Sequence, residues 1–221
     1  MARTAIVIIG GAAPLEAVVP LLPADRYVIA ADSGLDHALK LGLAVDVLVG
    51  DLDSVSCAAL SEAERSGMRI VRHPHRKDVT DTELAIEIAR SHGCARMIGV
   101  AGGGDRLDHV LGAIQAFASP ELADRRVELW WNDQLVQVLH GPGVLELAPG
   151  APAGSLVSLV PLLGNAEAVT TEGLEYPLHD DTLSAASSRG VSNVRLGGPA
   201  SVALRGGTLL VVSPLFTERS A

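Results

Sequence analysis

Residues 45–54, Val-Asp-Val-Leu-Val-Gly-Asp-Leu-Asp-Ser, run a short apolar segment straight into a turn that carries two carboxylates. The first half of the chain repeats that rhythm: an apolar run, a polar or glycine-rich turn, then helical spacing. The run from Ala5 to Ile9 meets Gly10 and Gly11, and the run from Tyr27 to Ala31 meets Asp32, Ser33 and Gly34. Met68 to Val71 leads into His73, Pro74 and His75, and Met97 to Ala101 leads into Gly102, Gly103 and Gly104. Such a βα alternation predicts parallel strands whose turns gather at the carboxyl ends, where open α/β folds bind ligands. Thr80 and Glu83 have capping-box spacing before a helix that carries Leu84, Ala85, Ile88 and Ala89, with Gly93 at its stop. Leu107, Val110, Leu111, Ile114 and Phe117 mark a second amphipathic helix after Gly104.

From about residue 126 the pattern changes to short alternating runs broken by Gly, Pro and Asn. These are Val127 to Trp131, Leu135 to Leu139, Val144 to Leu147, Leu156 to Val160, Val202 to Leu204 and Leu209 to Val212. The expectation is an α/β plus all-β chain: a Rossmann-like parallel α/β domain over residues 1–140 and a small β-sandwich over 141–221. With 48% apolar residues and only 3% aromatics, its core must be built from Val, Leu, Ile and Ala, which suits buried parallel strands.

A formal charge of −9 without any Lys/Arg-dense stretch argues against a nucleic-acid partner. No apolar run reaches membrane-spanning length, and the first apolar run reads as a strand rather than a signal peptide. Two cysteines, Cys57 and Cys94, lack metal-like spacing and are too few for a disulfide scaffold, which fits a reducing, cytoplasmic location.

Alternate acids in Gly50-Asp51-Leu52-Asp53-Ser54 can converge on one hard cation such as Mg2+, although a D-x-D alone also fits a solvated turn. Its weight grows with Lys77-Asp78-Val79-Thr80-Asp81 just before a helix. There, Asp81 or Asp78 can complete the metal shell and Lys77 can meet phosphate oxygens, while a capped helix start explains Thr80 and Glu83 fully but Lys77 and Asp78 less well. In Gly102-Gly103-Gly104-Asp105-Arg106-Leu107-Asp108-His109 the glycines allow close approach of a ligand and Arg106 can grip phosphate through paired N–H donors. Asp108 or His109 can orient or deprotonate a hydroxyl. Neither a Walker A loop nor a dinucleotide-binding GxGxxG is present. His73 and His75 are expected on one side of a strand, lining the cleft rim rather than holding zinc, and Ser54 and Ser187 lack nucleophile-elbow surroundings.

The ordered set Ala31-Asp32-Ser33-Gly34, Gly50 to Ser54, Lys77 to Asp81 and Gly104 to His109 resembles the thiamine pyrophosphokinase family. So do Thr171 to Leu178 and Gly190-Val191-Ser192-Asn193 in the last third. The resemblance implies Mg2+-dependent transfer of a diphosphoryl group from ATP to the hydroxyl of thiamine, in a homodimer with active sites between subunits. Position by position it implies Asp51, Asp53 and Asp81 as metal ligands, Lys77 and Arg106 at the phosphates and Asp108 at the attacking hydroxyl. Asp32, Gly34, Asp78, Thr80, Gly103, Gly104 and His109 would line the substrates, and Ser192 and Asn193 would face thiamine. Two departures stand out: Ser33 replaces a usual glycine, and no aromatic residue closely follows Asn193. The alternatives are a diphosphokinase of the same fold acting on another hydroxymethyl compound, such as a pterin, and a non-catalytic nucleotide-binding sensor.

Overall fold

A computed structural model describes residues 3–76, 78–104 and 106–216. The chain divides into two compact units, one of residues 1–117 and 124–132, the other of 118–123 and 133–221.

In the first unit six strands pair in parallel. They are β1 (Thr4–Ile8), β2 (Arg26–Ala31), β3 (Val47–Gly50), β4 (Arg69–Arg72), β5 (Arg96–Ala101) and β6 (Arg126–Trp131). Their spatial order is β4-β3-β2-β1-β5-β6, so the direction of winding reverses between β1 and β5. Helices α1 (Gly34–Lys40) and α2 (Cys57–Ser66) pack on one another, as do α3 (Asp81–Ser91) and α4 (Leu107–Phe117). Right-handed crossovers on either side of the reversal put the two helix pairs on opposite faces of the strands. All five residues of β1 are buried, as are all four of β3, the signature of strands covered on both faces.

Local chemistry accounts for the boundaries. β3 begins two residues after the apolar run starts, because the Asp46 carboxylate accepts the Val28 N–H at 2.8 Å. The capping box of α3 is present in both directions: Glu83 N–H donates to Thr80 Oγ1 (3.2 Å) and Thr80 N–H to Glu83 Oε2 (2.9 Å). The run from Val127 to Trp131, which the change of rhythm groups with the later strands, forms β6 and pairs in parallel with β5.

The second unit is strand-rich and antiparallel. β7 (Gln134–His140) and β9 (Leu156–Glu172) flank β13 (Gly206–Pro214), and β12 (Ser201–Leu204) joins β9 to β8 (Gly143–Glu146). Two short strands, β10 (Asp181–Leu183) and β11 (Asn193–Val194), also pair with β9. β9 runs on well past Val160, where the sequence pattern stops, because Pro161 and Gly164 serve as bends inside a strand that changes partners. Its core gathers Val157, Leu159, Val169, Leu183, Val202, Leu209 and Val211, all aliphatic. Among the described residues no helix is long and apolar enough to cross a membrane.

Candidate active site

The carboxyl ends of β1, β2, β3 and β5 open into one cavity of about 400 Å³ within the first unit. It lies where the strand order reverses, the place where neighbouring loops part and leave a crevice. Asp32, Asp51, Thr80 and Asp81 line it, and so do Gly103, Gly104, Arg106 and His109. Asp53, Asp78, Gly34 and Asp108 are not among its lining residues.

Asp32 follows β2 in a left-handed conformation (φ 48°), and its N–H donates to the Val49 carbonyl at 2.9 Å. That geometry holds its side chain beside the end of β3. Its Oδ2 accepts from the Ser54 hydroxyl, whereas Oδ1 is buried with no hydrogen-bond partner among the described residues. Burial lifts the Asp32 carboxyl above its ordinary 3.8; the charges of Asp81, Asp51 and Asp53 push the same way, opposed by the Ser54 hydrogen bond.

Asp51 and Asp53 flank Leu52, which is left-handed (φ 67°) and only 6% exposed, its side chain in the core with Leu48, Val55 and Ala59. Gly50 makes room for the third acid: a Cβ there would lie 3.1 Å from Asp81 Oδ1 and 3.2 Å from Asp32 Cβ. Carboxylate oxygens of Asp32, Asp51 and Asp81 consequently fall within 4.8 Å of one another. Asp32, which the resemblance sets among the substrate-lining residues, is thus a third acid of the cluster, while Asp53 groups with Asp51 and His75 instead. No local signal could have found this, since the three acids come from the ends of β2 and β3 and the start of α3.

His75 was expected on a strand face, but β4 ends at Arg72. The His73 N–H donates to the Gly50 carbonyl at 2.9 Å, which ties the segment after β4 to the acidic turn. His75 Nδ1 reaches Asp51 Oδ2 at 2.8 Å and Asp53 Oδ2 at 3.3 Å.

The glycine turn after β5 is shaped by close approach. A Cβ on Gly102 would stand 2.2 Å from the Ala13 carbonyl oxygen, and Gly103 and Gly104 are both left-handed (φ 76°). Arg106 then pairs with Asp108 through two bonds of 3.2 and 2.6 Å, both side chains largely exposed. Hydrogen bonding from Arg106 holds the Asp108 carboxyl below the usual range, and the same contact raises the guanidinium. Gly34 has a packing role, because a Cβ would come within 2.1 Å of the Ile8 carbonyl oxygen. Lys77 lies outside the described residues.

In the second unit Ser192 is exposed and left-handed (φ 61°), and its N–H donates to Ser158 Oγ at 3.0 Å. Asn193 is buried. Its Oδ1 accepts from the N–H groups of Tyr176 (3.0 Å) and Val194 (2.8 Å), and its Nδ2 donates to the Tyr176 carbonyl (2.7 Å). The amide is consumed in fixing the loop that presents Tyr176, which is 61% exposed.

A family model described as thiamin pyrophosphokinase, catalytic domain, matches residues 19–130, and one described as thiamin pyrophosphokinase, vitamin B1 binding domain, matches residues 145–209. The chain belongs to the thiamine pyrophosphokinase family. It is 23% identical over 186 residues to the thiamine pyrophosphokinase of Bacillus subtilis (strain 168), covering 83% of this chain and 85% of that one. It is 28% identical over 162 residues to thiamine pyrophosphokinase 3 of Oryza sativa subsp. japonica, covering 67% and 58%. The fold is that of the crystal structure of the Bacillus subtilis thiamine pyrophosphokinase (TM-score 0.85, 20% identity, 96% and 99% covered). Yeast thiamin pyrophosphokinase is also similar (TM-score 0.78, 15% identity, 98% and 87% covered). A match to a vitamin B1 binding domain does not favour the pterin alternative.

Proposed function

We infer that this enzyme, a thiamine pyrophosphokinase, transfers the β,γ-diphosphoryl group of ATP to the hydroxyl of thiamine, giving thiamine diphosphate and AMP. The observation that carries the chemistry is the convergence of Asp32, Asp51 and Asp81 in a cavity that Arg106 also lines.

The acids fit a hard divalent cation such as Mg2+. Their donors are all oxygens, and the buried Asp32 Oδ1 lacks a partner among the described residues that a cation would supply. Asp32, Asp51 and Asp81 would hold it, with Asp53 at the outer edge of the turn. When bound, such a cation neutralises phosphate charge and orients the diphosphoryl group. The residues do the rest. Gly103 and Gly104 let the backbone come close to the phosphates, and Arg106 exchanges its contact with Asp108 for phosphate oxygens. The thiamine oxygen attacks the β-phosphorus as the bond from that phosphorus to the AMP oxygen breaks. Asp108 would position the thiamine hydroxyl, whose proton passes to solvent or product phosphate. Lys77 would add a point charge at the phosphates, a role that rests on its motif alone.

We further read residues 1–140 as a Rossmann-like ATP-binding domain and residues 141–221 as a β-sandwich thiamine-binding domain. Ser192 would offer its hydroxyl to thiamine, while Asn193 would act through the Tyr176 loop that it fixes. A homodimer with shared sites and a cytoplasmic location complete the reading; the free thiols Cys57 and Cys94 support the latter. The test is incubation with ATP, Mg2+ and thiamine. AMP and thiamine diphosphate in equal amounts are expected, and ADP as the nucleotide product would overturn the reaction.

A further inference from the structure

Trp131 is the one Trp, Tyr or Phe among the described residues that line the cavity of the first unit, and the reaction as drawn gives it no task. It ends β6 in register with Ala101, the last residue of β5, and so stands beside the glycine turn that follows. The Asn132 N–H donates to the Ala101 carbonyl at 2.8 Å and holds that register to the end of the strand. Gly103 admits the indole: a Cβ there would lie 3.1 Å from Trp131 Nε1 and 3.4 Å from its Cδ1. The pyrrole edge is thus set against the turn. Trp130, which points to the opposite face of the strand, is spent on structure, being 5% exposed with its Nε1 donating to Glu128 Oε2 at 3.2 Å. The lining that β5 and α4 add beside Trp131 is partly apolar, with Ala101, Val110 and Ala113. The acids enter from the other side of the strand reversal, at β2, β3 and α3. In the order β2-β1-β5-β6 the ends of the outer strands lie three spacings apart, roughly 14 Å.

Resting on the reading of this cavity as the ATP site, we propose that the indole of Trp131 stacks on the purine of the nucleotide while the acids and Arg106 serve its phosphates. The span from the acids to the indole suits an extended nucleoside diphosphate, with charge at one end and a flat ring at the other. Purines are flat and polarisable, and they stack on an indole face without needing a matched set of hydrogen bonds. Thiamine carries aromatic rings too, but residues 145–209, matched by the vitamin B1 binding domain, contribute none of the cavity's lining. Because the base is remote from the reacting phosphorus, its stacking is the same before and during transfer. Such a contact acts on KM and leaves kcat alone.

Isothermal titration of the whole chain with ATP and with inorganic tripolyphosphate, each with Mg2+ and without thiamine, separates contacts to the base from contacts to the phosphates. Trp131→Leu should weaken ATP binding about tenfold and change tripolyphosphate binding by less than about twofold, and Trp131→Phe should restore most of the ATP affinity. In turnover Trp131→Leu should raise the KM for ATP about tenfold with kcat within about twofold of wild type. The chain has only two tryptophans, so fluorescence reads the site even if Trp131→Leu fails to fold. ATP should quench the emission of Trp130→Phe, which reports Trp131, and leave that of Trp131→Phe unchanged. Unaltered ATP affinity in Trp131→Leu, an equal loss for ATP and tripolyphosphate, or a Trp131 emission that ATP does not affect would reduce the residue to a wall of the glycine turn. Weaker thiamine binding with ATP binding intact would move the ring contact to the other substrate and overturn the assignment. Failure of the wild type to bind ATP would remove this inference together with the function beneath it.

Discussion

Each unit holds a half-buried ionisable side chain with one polar atom that meets no hydrogen-bond partner among the described residues: Asp32 Oδ1 in the first and His140 Nε2 in the second. Burial drives both toward their neutral forms, raising the acid and lowering the imidazole. Their surroundings differ. Asp32 faces a cavity shared with Asp51 and Asp81, so its environment is costly for the bare protein and useful with a cation. His140 lines neither that cavity nor any metal-capable group among the described residues, and its Nδ1 lies 3.1 Å from Thr208 Oγ1. An unpartnered buried atom therefore speaks for function only when other groups of the same chemistry converge on it.

The comparison breaks first at Asp51. Asp51→Asn should lower turnover about a thousandfold, roughly 4 kcal/mol of transition-state stabilisation, and leave the circular dichroism spectrum unchanged. Near-normal AMP release at low Mg2+ would end the assignment. Asn193→Ala tests the opposite kind of polar group, one already spent on structure. Removal of the amide leaves the Tyr176 N–H and carbonyl without their partner, so urea unfolding should show a loss of about 2 kcal/mol at constant m value. Unchanged stability with lost thiamine binding would return Asn193 to direct substrate contact.

Arg106→Lys keeps the charge but loses the paired geometry, so kcat should fall about tenfold while the melting temperature stays put. An unchanged kcat would make the Arg106–Asp108 pair a surface feature. The smallest effects are the pH profiles of the two half-buried groups. Because the folded-state pKa of Asp32 is raised, the folded chain holds that proton more readily than the unfolded chain, and stability falls as pH rises from 3.8 through the raised value. In EDTA, Asp32→Asn should flatten that fall and melt slightly higher than wild type at neutral pH; a lower melting temperature would contradict it. For His140 the unfolded chain takes the proton first, so stability is present above 6.5 and is lost as pH drops toward the lowered value. His140→Gln should reduce that loss in urea midpoints measured at mildly acidic pH, and equal slopes would show that another group titrates.

Strands β1, β2, β3 and β5 were readable because their apolar runs stop at Gly or Asp turns, and Thr80 with Glu83 announced the start of α3, whereas the change of rhythm groups β6 with the later strands. The long β9 was not, since Pro161, Gly164 and Asn165 look like breaks until the exchange of partners is seen. At the site, Asp51 and Arg106 were evident from their turns, while the turn before α3 offered Asp78 and Asp81 alike. Asp32 as a third acid and His75 as a neighbour of Asp51 depend on tertiary proximity, which spacing along the chain does not encode. Asn193 illustrates the converse: the sequence marks the residue but not the hydrogen bonds that occupy its amide.

Leu52 has an evolutionary consequence. A left-handed leucine costs about 1 kcal/mol that glycine would avoid, whereas a fully buried leucine side chain contributes roughly 2 kcal/mol. Selection for cation binding alone would let position 52 drift to glycine. Selection for folding keeps a large apolar side chain there and, as a by-product, holds the two flanking acids in register. Inheritance of the acidic turn is thus guarded by a residue outside the cavity lining, and lineages that lose the reaction should retain Leu52 longer than Asp51 or Asp53.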